Sequence, residues 1–305
     1  MADAYDLIII GAGPAGITAS VYAARKRMNF LVISKDVGGQ TAWTGDIENY
    51  TGYQFISGMD LTAKFQEHMK KYNVKLKQNE QIIELKKQDN IINIKTDKTQ
   101  YQAKAVIIAT GGKSRELNIP GEKEFKNKGL TYCATCDGPL FAGKDVAVVG
   151  AGNAGLEAVL QLMNIAKHIY LIEVGPKLNG DSIMQEKIKK SEKVTLLLNA
   201  KAKQVLGDKM VNAIKIETND GEKTISLQGV FVEIGLVPNT EFAKGLDLKR
   251  NTRGEIEIDC RNSTNIPGVF AAGDVTNVPE KQIVIAAGEG AKALLSAFRY
   301  LGQQK

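Results

Sequence analysis

The sequence of 305 residues predicts an α/β fold made of two Rossmann-like, three-layer ββα units. The pattern Gly-x-Gly-x-x-Gly occurs in full at positions 11–16 and again at positions 150–155. Each copy lies between an apolar strand and a segment with helical spacing, the context in which such a turn binds the pyrophosphate of a dinucleotide. The repeat therefore indicates two nucleotide-binding units in one chain.

The composition is that of a globular protein, with 43% hydrophobic and 24% charged residues. No apolar run approaches the length of a membrane span. The run at 7–10 meets Gly11 at once, so we expect a buried strand rather than a signal peptide, and a cytoplasmic protein. The net charge of +6 comes from dispersed lysines without interleaved aromatic residues, which argues against nucleic-acid binding. This charge either solvates the surface or steers an acidic protein substrate.

The first unit begins with a strand at 6–10, a glycine turn, a helix at 17–27 and a strand at 30–33. The turn residues expected to bind a cofactor are Gly11, Gly13, Pro14, Ala15 and Gly16. Ser34 stands where a ribose-binding acid is expected, so this turn departs from ordinary NAD binding. The polar segment with Gly39, Gln40 and Asn49 either lines a flat cofactor or forms a plain surface loop.

The remainder of the first unit contains a helix at 61–72 and strands at 74–76, 81–85, 91–95 and 105–109. The last strand ends in three further candidate cofactor contacts, Ala109, Thr110 and Gly111. The segment 113–131 is polar and predicts a linker.

The second unit has a strand at 145–149, a helix at 156–164 and a strand at 168–172. Its candidate cofactor residues at the turn are Gly150, Gly152, Asn153, Ala154 and Gly155. Alignment of the two turns places Glu173 opposite Ser34, and a carboxylate there accepts bonds from both ribose hydroxyls and repels a 2′-phosphate. Glu173 therefore favours NADH over NADPH, unless it is only a surface acid at a strand end. The nearby Lys177 could soften this selectivity.

The last third of the chain predicts strands at 194–198, 211–217 and 224–227, an apolar segment at 229–235 and a short strand at 254–259. A final apolar strand at 269–274 precedes a helix at 284–301 whose first turns are rich in small residues. Further candidate cofactor contacts are Gly235, Gly273, Asp274, Lys281, Gln282 and Ile283.

Between the two glycine turns lie Cys133 and Cys136, followed directly by Asp137. Such a pair holds two electrons as a dithiol and releases them as a disulfide, which suggests a relay from nicotinamide to flavin to disulfide. Asp137 is the candidate acid for the outgoing thiolate if burial raises its pKa, and otherwise a turn residue. Half of a zinc site is the other interpretation of the cysteines, but Cys260 and two histidines fit no usual spacing, so no metal is expected.

Together these motifs resemble the low-molecular-weight thioredoxin reductase family of flavoproteins. The resemblance covers the whole chain and rests on GAGPAG at 11, GGQ at 38, CATCDG at 133, GAGNAG at 150, EIGLVPNT at 233, AAGDV at 271 and KQIVIAAGEGA at 281. The segments 138–141 and 254–291 are more similar to the flavoprotein (F) subunit of alkyl hydroperoxide reductase. That subunit carries an N-terminal redox module, which we expect to be absent because the first turn begins at Gly11. Thioredoxin reductases have His-Arg-Arg where this chain has Ile172-Glu173-Val174-Gly175, so the departure also favours NADH.

The resemblance implies a discontinuous FAD-binding domain at 1–112 and 241–305, with an NAD(P)H-binding domain at 113–240 inserted into it and carrying the cysteines. It implies a homodimer in which Asp274, Gln282 and Ile283 face the flavin. It also implies that Cys136 lies next to the flavin and that Cys133 attacks the substrate.

The expected function is a FAD-dependent reductase that passes electrons from NADH to the disulfide of a small redoxin, thioredoxin-like or glutaredoxin-like, or of a peroxiredoxin system. The alternatives are an NADPH-dependent thioredoxin reductase and a non-catalytic redox-sensing flavoprotein.

Overall fold

A computed structural model describes residues 3–44, 46–47 and 49–304. The chain forms two compact units, one from the described residues up to Lys113 together with those from Val237 onward, the other spanning Ser114–Leu236. The return to the first unit comes before the predicted position 241 because Asn239 is already bonded into it. The Asn239 side-chain Nδ2 donates to the Thr110 carbonyl oxygen at 2.9 Å, and Thr110 Oγ1 donates to the Asn239 carbonyl oxygen at 2.7 Å. Which nucleotide each unit binds stays a prediction.

The secondary structure follows the expected alternation of strands and helices. The strands are β1 Asp3–Ala12, β2 Phe30–Val37, β3 Asp46–Ile47, β4 Ile56–Ser57, β5 Leu76–Gln78, β6 Ile82–Gln88, β7 Ile91–Thr96, β8 Gln100–Ile108, β9 Gly112–Ser114, β10 Leu130–Thr131, β11 Asp145–Val149, β12 His168–Ile172, β13 Val194–Leu197, β14 Lys201–Gly207, β15 Val211–Thr218, β16 Gly221–Ser226, β17 Gly229–Val232, β18 Leu236–Pro238 and β19 Val269–Ala271. The α-helices are α1 Pro14–Arg25, α2 Gly58–Lys71, α3 Ala134–Asp137, α4 Asn153–Leu162, α5 Ser182–Lys189 and α6 Ile283–Gln303. Short 3₁₀ helices cover Gly39–Trp43, Gly138–Phe141 and Glu241–Ala243.

The first unit is built on a sheet in the order β5-β2-β1-β8-β7-β6, with β19 also paired to β8. The pairs β1–β2, β1–β8, β2–β5 and β8–β19 are parallel, and β6–β7 and β7–β8 are antiparallel. The central strand is buried on both faces, as parallel strands covered on two sides are. Leu7 and Ile9 pack on the side of α1 and α6, and Ile8 and Ile10 pack on the side of β6 and β7. These three layers explain the continuous apolar run at 7–10.

Helices α1 and α6 pack closely because the contact is made by residues without bulk. A Cβ added at Gly290 would lie 2.0 Å from the carbonyl oxygen of Ala15, a distance that no side chain tolerates. Ala286 and Ala293 continue the same buried face of α6. The small residues at the start of the last helix therefore serve the close approach that the sequence predicts.

The second unit repeats this architecture on a smaller scale. Its parallel sheet has the order β10-β17-β11-β12-β13, and a separate antiparallel sheet has the order β14-β15-β16. Leu156, Val159 and Ile188 of α4 and α5 cover one face of the parallel sheet. Ile214 and Ile216 of β15 cover the other face. The predicted fold class, with two Rossmann-like units of three layers, is confirmed.

Several local predictions were wrong. The segment 113–131 is more than a linker, since it includes β10 and residues of β9. The strand predicted at 254–259 is reduced to isolated bridges of Ile256 with Arg250 and with Thr276. Here Asn251 Nδ2 donates to Glu255 Oε2 at 2.6 Å, so side-chain bonds within a turn replace a regular ladder. No helix in the described part of the chain is long and apolar enough to cross a membrane.

Candidate functional site

The first glycine turn joins β1 to α1, and two of its glycines are required by close packing. Gly11 has φ +104°, and a Cβ there would lie 2.3 Å from the Ala109 carbonyl oxygen. A Cβ at Gly16 would lie 1.9 Å from the Gly11 carbonyl oxygen. These contacts hold the helix against the strand, and a side chain at either position would push them apart.

The middle glycine of this turn faces open space instead. No described atom lies within 4 Å of a Cβ placed on Gly13. Gly13 is also the N-cap of α1, which begins at Pro14, and no described side chain caps this helix end. The N–H groups of the helix end are thus free to bind an anion, and the space beside Gly13 fits a pyrophosphate. The residues present therefore fit a dinucleotide, with Ala15 buried behind the turn.

Ser34 follows the buried part of β2 and is bonded to the turn. Its Oγ accepts the N–H of Ala12 at 3.0 Å and donates to the carbonyl oxygen of Asp36 at 2.6 Å. The hydroxyl hydrogen is therefore used within the protein, and the position offers no carboxylate to a ribose.

The polar segment after β2 lies beside residues from the end of the chain. Gln40 Nε2 donates to Asp274 Oδ2 at 3.4 Å, and Asn49 Nδ2 donates to Gln282 Oε1 at 3.1 Å. A Cβ at Gly39 would lie 3.4 Å from the Cα of Gly13, which places this segment against the glycine turn. Glu48, within the same predicted segment, lies outside the described residues. The fold thus brings these candidate cofactor residues together, although they are far apart in sequence.

Asp274 follows β19 and Gly273, which has φ +78°. Burial raises the pKa of the Asp274 carboxyl, and the charge of Lys281 opposes that rise. Lys281 Nζ lies 2.9 Å from Glu255 Oε1 and donates to the Thr276 carbonyl oxygen at 2.5 Å. Lys281 is therefore held by the loop as well as by Glu255.

Two more predicted cofactor positions lie nearby in the chain. Gln282 is the N-cap of α6 and Ile283 is its first residue, so both stand at a helix start in the same unit. Gly111, after Thr110, has φ +60° and no described atom within 4 Å of a Cβ placed on it. This position is open, as the prediction requires.

The second glycine turn, between β11 and α4, matches the first. Gly150 has φ +108°, and a Cβ there would lie 2.5 Å from the Glu233 carbonyl oxygen. A Cβ at Gly155 would lie 1.9 Å from the Gly150 carbonyl oxygen, whereas a Cβ at Gly152 meets no described atom within 4 Å. The turn therefore fits a second pyrophosphate in the same way.

The other residues of this turn are placed by its surroundings. Asn153 Oδ1 accepts the N–H of Asp181 at 2.8 Å, and Ala154 is exposed at the start of α4. Gly235, with φ +102°, lies at the predicted end of the unit, where its carbonyl oxygen accepts the Arg115 N–H at 2.9 Å.

Glu173 ends β12 and is buried, so it is not the surface acid of the alternative interpretation. Its Oε2 accepts the N–H of Ala151 at 2.8 Å, and its Oε1 accepts the N–H of Gly175 at 2.8 Å. Each carboxylate oxygen has two lone pairs, so each can accept a further bond. The carboxylate is thus fixed beside the glycine turn with capacity for ribose hydroxyls. Lys177, in the same segment, is exposed.

Cys133 and Cys136 form a disulfide within the second unit, with a Cα–Cα distance of 5.3 Å. Cys133 is the N-cap of α3, and the N–H of Cys136 donates to Cys133 Sγ at 3.2 Å. Cys260 is free and exposed in the first unit. Among the described residues no group of three His, Cys, Asp or Glu side chains could hold a metal ion, which leaves the zinc interpretation of the cysteines without support.

Asp137 is bonded through Thr131, a residue that the sequence does not single out. Thr131 Oγ1 donates to Asp137 Oδ2 and accepts the N–H of Cys133 at 3.3 Å. The hydroxyl therefore connects the candidate acid with the backbone of the first cysteine. This bonding makes Asp137 more than a turn residue.

Glu233 is a second residue that sequence reasoning missed. Its Oε1 accepts the N–H of Ala134, the first residue of α3, at 3.3 Å. Burial raises the pKa of Glu233 to about 7, the Ala134 N–H opposes this rise, and the charge of Glu157 adds to it. The only sequence signal is an acid directly after an apolar strand, and nothing in the sequence connects it with residues about a hundred positions earlier.

Comparisons with known proteins agree with this arrangement. A family model described as pyridine nucleotide-disulphide oxidoreductase matches residues 5–290. A protein named NADH dehydrogenase from Ferdinandcohnia aciditolerans is 44% identical over 302 residues, which cover 98% of this chain and 58% of the relative. The flavoprotein (F) subunit of alkyl hydroperoxide reductase from Escherichia coli is 43% identical over 310 residues, which cover 99% of this chain and 59% of the relative. The chain thus spans less than two thirds of the length of these curated relatives.

Among solved structures, thioredoxin reductase from Streptococcus pyogenes has a TM-score of 0.92 at 36% identity, covering 99% of this chain and 100% of the other. Thioredoxin reductase from Giardia duodenalis has the same TM-score of 0.92 at 30% identity, covering 98% and 99%. The predicted resemblance is therefore confirmed, and the chain belongs to the pyridine nucleotide-disulphide oxidoreductase family, with a thioredoxin-reductase-like fold.

Proposed function

We propose that this chain is an NADH-dependent, FAD-containing disulfide reductase that delivers electrons through Cys133 and Cys136 to a small redoxin or a peroxiredoxin system. Flavoproteins of this family bind FAD and a pyridine nucleotide. When bound, FAD would accept a hydride equivalent from the nicotinamide and supply two electrons for disulfide reduction. The proposal assigns FAD to the unit with Gly13, Asp274 and Gln282, and NADH to the unit with Gly152 and Glu173.

The observation that carries this proposal is the disulfide of Cys133 and Cys136 in the same unit as the second glycine turn. In the reduced state the Cys133 thiolate would attack the partner disulfide, form a mixed disulfide and release one partner thiol. Cys136 would then attack Cys133, restore the internal disulfide and release the second thiol. Asp137, bonded to Thr131, would hold the proton needed by a departing thiolate.

The choice of partner rests on relatives. One relative is named as a subunit of alkyl hydroperoxide reductase, and solved structures of similar fold are named thioredoxin reductase. Both names belong to proteins that serve disulfide chemistry, which supports a small redoxin, thioredoxin-like or glutaredoxin-like, or a peroxiredoxin system for this chain.

The choice of NADH rests on Glu173. Its carboxylate is anchored by Ala151 and Gly175 next to the turn, where a 2′-phosphate would meet a like charge. The second candidate is an NADPH-dependent thioredoxin reductase, which the TM-score of 0.92 to the Streptococcus pyogenes enzyme favours. The exposed Lys177 is the residue that could serve it.

The test is steady-state reduction of a general aromatic disulfide with NADH and NADPH side by side. Faster turnover with NADH supports the proposal, and faster turnover with NADPH supports the second candidate. If neither nucleotide drives turnover while the protein holds FAD, the enzymatic proposal fails and a redox-sensing flavoprotein becomes the better hypothesis.

A further inference from the structure

Glu233 contacts both functional parts of the second unit. It follows β17, and its carbonyl oxygen lies against Gly150 of the glycine turn, 2.5 Å from where a Cβ would stand. Its side chain extends to α3, where Oε1 accepts the N–H of Ala134. Ala134 is the residue after Cys133, so the carboxyl lies against the first turn of the helix that carries the disulfide. A charge on Glu233 is thus placed to act on the cysteines.

The surroundings make this charge easy to remove near neutral pH. Glu233 is half-buried, and burial is the main reason that its pKa is raised to about 7. The charged groups on the elements around it are Glu157 of α4, Asp137 of α3 and Arg115, whose N–H donates to the Gly235 carbonyl oxygen at 2.9 Å. Glu157 adds to the rise, and the Ala134 N–H opposes it.

Reduction of the disulfide introduces a new charge next to this group. The sulfur–sulfur bond breaks, two electrons enter, and one proton on Cys136 leaves a thiolate on Cys133. The N–H of Cys136 donates to Cys133 Sγ at 3.2 Å, which favours negative charge on that sulfur. A thiolate and a nearby carboxylate each disfavour the other's charge, so the two groups titrate as a coupled pair.

We propose that Glu233 takes up a proton when the disulfide of Cys133 and Cys136 is reduced, and that this proton offsets the charge of the Cys133 thiolate. The inference rests on the proposed function, because it requires a redox-active pair. The step balances as disulfide and Glu233 carboxylate plus two electrons and two protons, giving the Cys133 thiolate, the Cys136 thiol and the Glu233 carboxylic acid. The electrons come from the nicotinamide in the proposed reaction and from a dithiol in the test.

The proposal defines Glu233 as a positioning residue that acts through α3. In the disulfide form the carboxyl loses its proton near pH 7, where its pKa lies. In the thiolate form the pKa is higher, so between these two values reduction draws one additional proton. A neutral glutamine can still accept the Ala134 N–H but cannot take up this proton.

The experiment measures the reduction potential of the disulfide against pH in the full-length protein as purified. The protein is equilibrated in mixtures of reduced and oxidised dithiothreitol, and free thiols are counted by the mass added with a maleimide, which flavin does not disturb. The variants are Glu233→Gln, the exposed matched control Glu192→Gln, and Asp137→Asn. Above about pH 7, wild type and Glu192→Gln should take up close to one more proton per two electrons than Glu233→Gln.

Alkylation of the reduced protein by iodoacetamide supplies a second readout. The pKa of the Cys133 thiol should be lower in Glu233→Gln by about one unit, the lower end of the effect of a nearby like charge. Glu157→Gln gives a test that leaves Glu233 in place. Loss of this exposed like charge should move the onset of the additional proton uptake to lower pH.

Parallel potential–pH curves for wild type and Glu233→Gln would overturn the inference. So would loss of the additional proton in Asp137→Asn alone, because Asp137 would then hold it, or an unchanged onset in Glu157→Gln. In these cases the pair still exchanges with dithiothreitol, and the proposed function stands. If the pair does not exchange with dithiothreitol at all, the proposed function and the inference both fail.

Discussion

Ser34 and Glu173 occupy matching positions in the two units and bind the same part of the glycine turn. Ser34 Oγ accepts the N–H of Ala12 at 3.0 Å, and Glu173 Oε2 accepts the N–H of Ala151 at 2.8 Å. Both acceptors thus bind the residue after the first glycine of their turn. The serine stabilises its turn without adding charge, whereas the glutamate adds a carboxylate with remaining acceptor capacity. This difference separates the two predicted nucleotide sites.

The purified protein should be yellow, with one FAD per chain. Gly13→Val should remove most of the FAD without unfolding the protein, because its side chain enters space where no described protein atom lies. Gly152→Val should leave FAD bound and weaken nucleotide binding in the second unit. Gly16→Ala should cost about 3 kcal/mol of stability or more, because its Cβ would lie 1.9 Å from the Gly11 carbonyl oxygen. Visible absorbance and thermal unfolding measure these effects, and a folded wild-type protein that takes up no FAD would contradict them.

Replacement of Cys133 or Cys136 by Ser should abolish disulfide reduction while NADH still bleaches the flavin. The physical reason is that no dithiol can form with one sulfur missing. Cys260→Ser is the matched control, since Cys260 is exposed and lies in the other unit. A stopped-flow record of flavin absorbance and a steady-state redoxin assay separate the two steps. Wild-type redoxin turnover in either mutant of the pair would show that the relay is wrong.

NADH should be preferred over NADPH by roughly tenfold to a thousandfold in kcat/KM, since a like-charge clash and lost ribose bonds cost a few kcal/mol. Glu173→Ala should narrow this gap. Val174→Arg, at a side chain that is 68% exposed, should narrow it further. Lys177→Ala should widen the gap if that lysine screens the phosphate. An equal or higher kcat/KM with NADPH in the wild type would reverse the assignment.

Thr131→Val should slow disulfide reduction roughly tenfold to a hundredfold, the range expected when a hydrogen bond to a charged group is lost. The valine keeps the shape but neither donates to Asp137 nor accepts the Cys133 N–H. Thr131→Ser should retain most of the rate because it keeps the hydroxyl. Flavin bleaching by NADH should be the same in both variants, and an unchanged disulfide rate in the valine variant would remove Thr131 from the site.

The titration of Glu233 should also appear in the stability of the protein. Its pKa is about 7 in the folded state, above the ordinary value of about 4.3, so the folded state binds more protons in that interval. Stability should therefore be lost as pH rises through the interval and be level on either side of it. Glu233→Gln lacks this loss, so its Tm advantage over wild type should grow across the interval. A constant difference in Tm would contradict the raised pKa.

Much of the fold was predictable because the constraints on it are local. Gly11 and Gly16 are neighbours in sequence, and their contacts repeat at Gly150 and Gly155, so spacing alone indicates both turns. The apolar run at 7–10 similarly reports a strand covered on two faces.

The missed features depend on contacts between distant parts of the chain. Glu233 meets Ala134 from 99 residues away, and the acid itself carries no mark of that meeting. Thr131 is an ordinary strand residue until α3 places Asp137 against its hydroxyl. Helix α5 was missed because it is short and mostly polar, and its start depends on Asp181 accepting the N–H groups of Ile183 and Met184. Ile256 has the side chain of a strand, but its neighbours bond within a turn.

The contact between Gly290 and Ala15 sets an order for folding during synthesis. The turn near the start of the chain is packed against a helix that the ribosome makes almost last, and β19 joins the same sheet only shortly before. The second unit, by contrast, is continuous from Ser114 to Leu236 and needs nothing made after it. Since domains fold as units while they emerge, the disulfide-bearing unit can be complete while the other still awaits its last strand and helix. A nascent chain would therefore acquire its cysteine chemistry before it could hold a flavin.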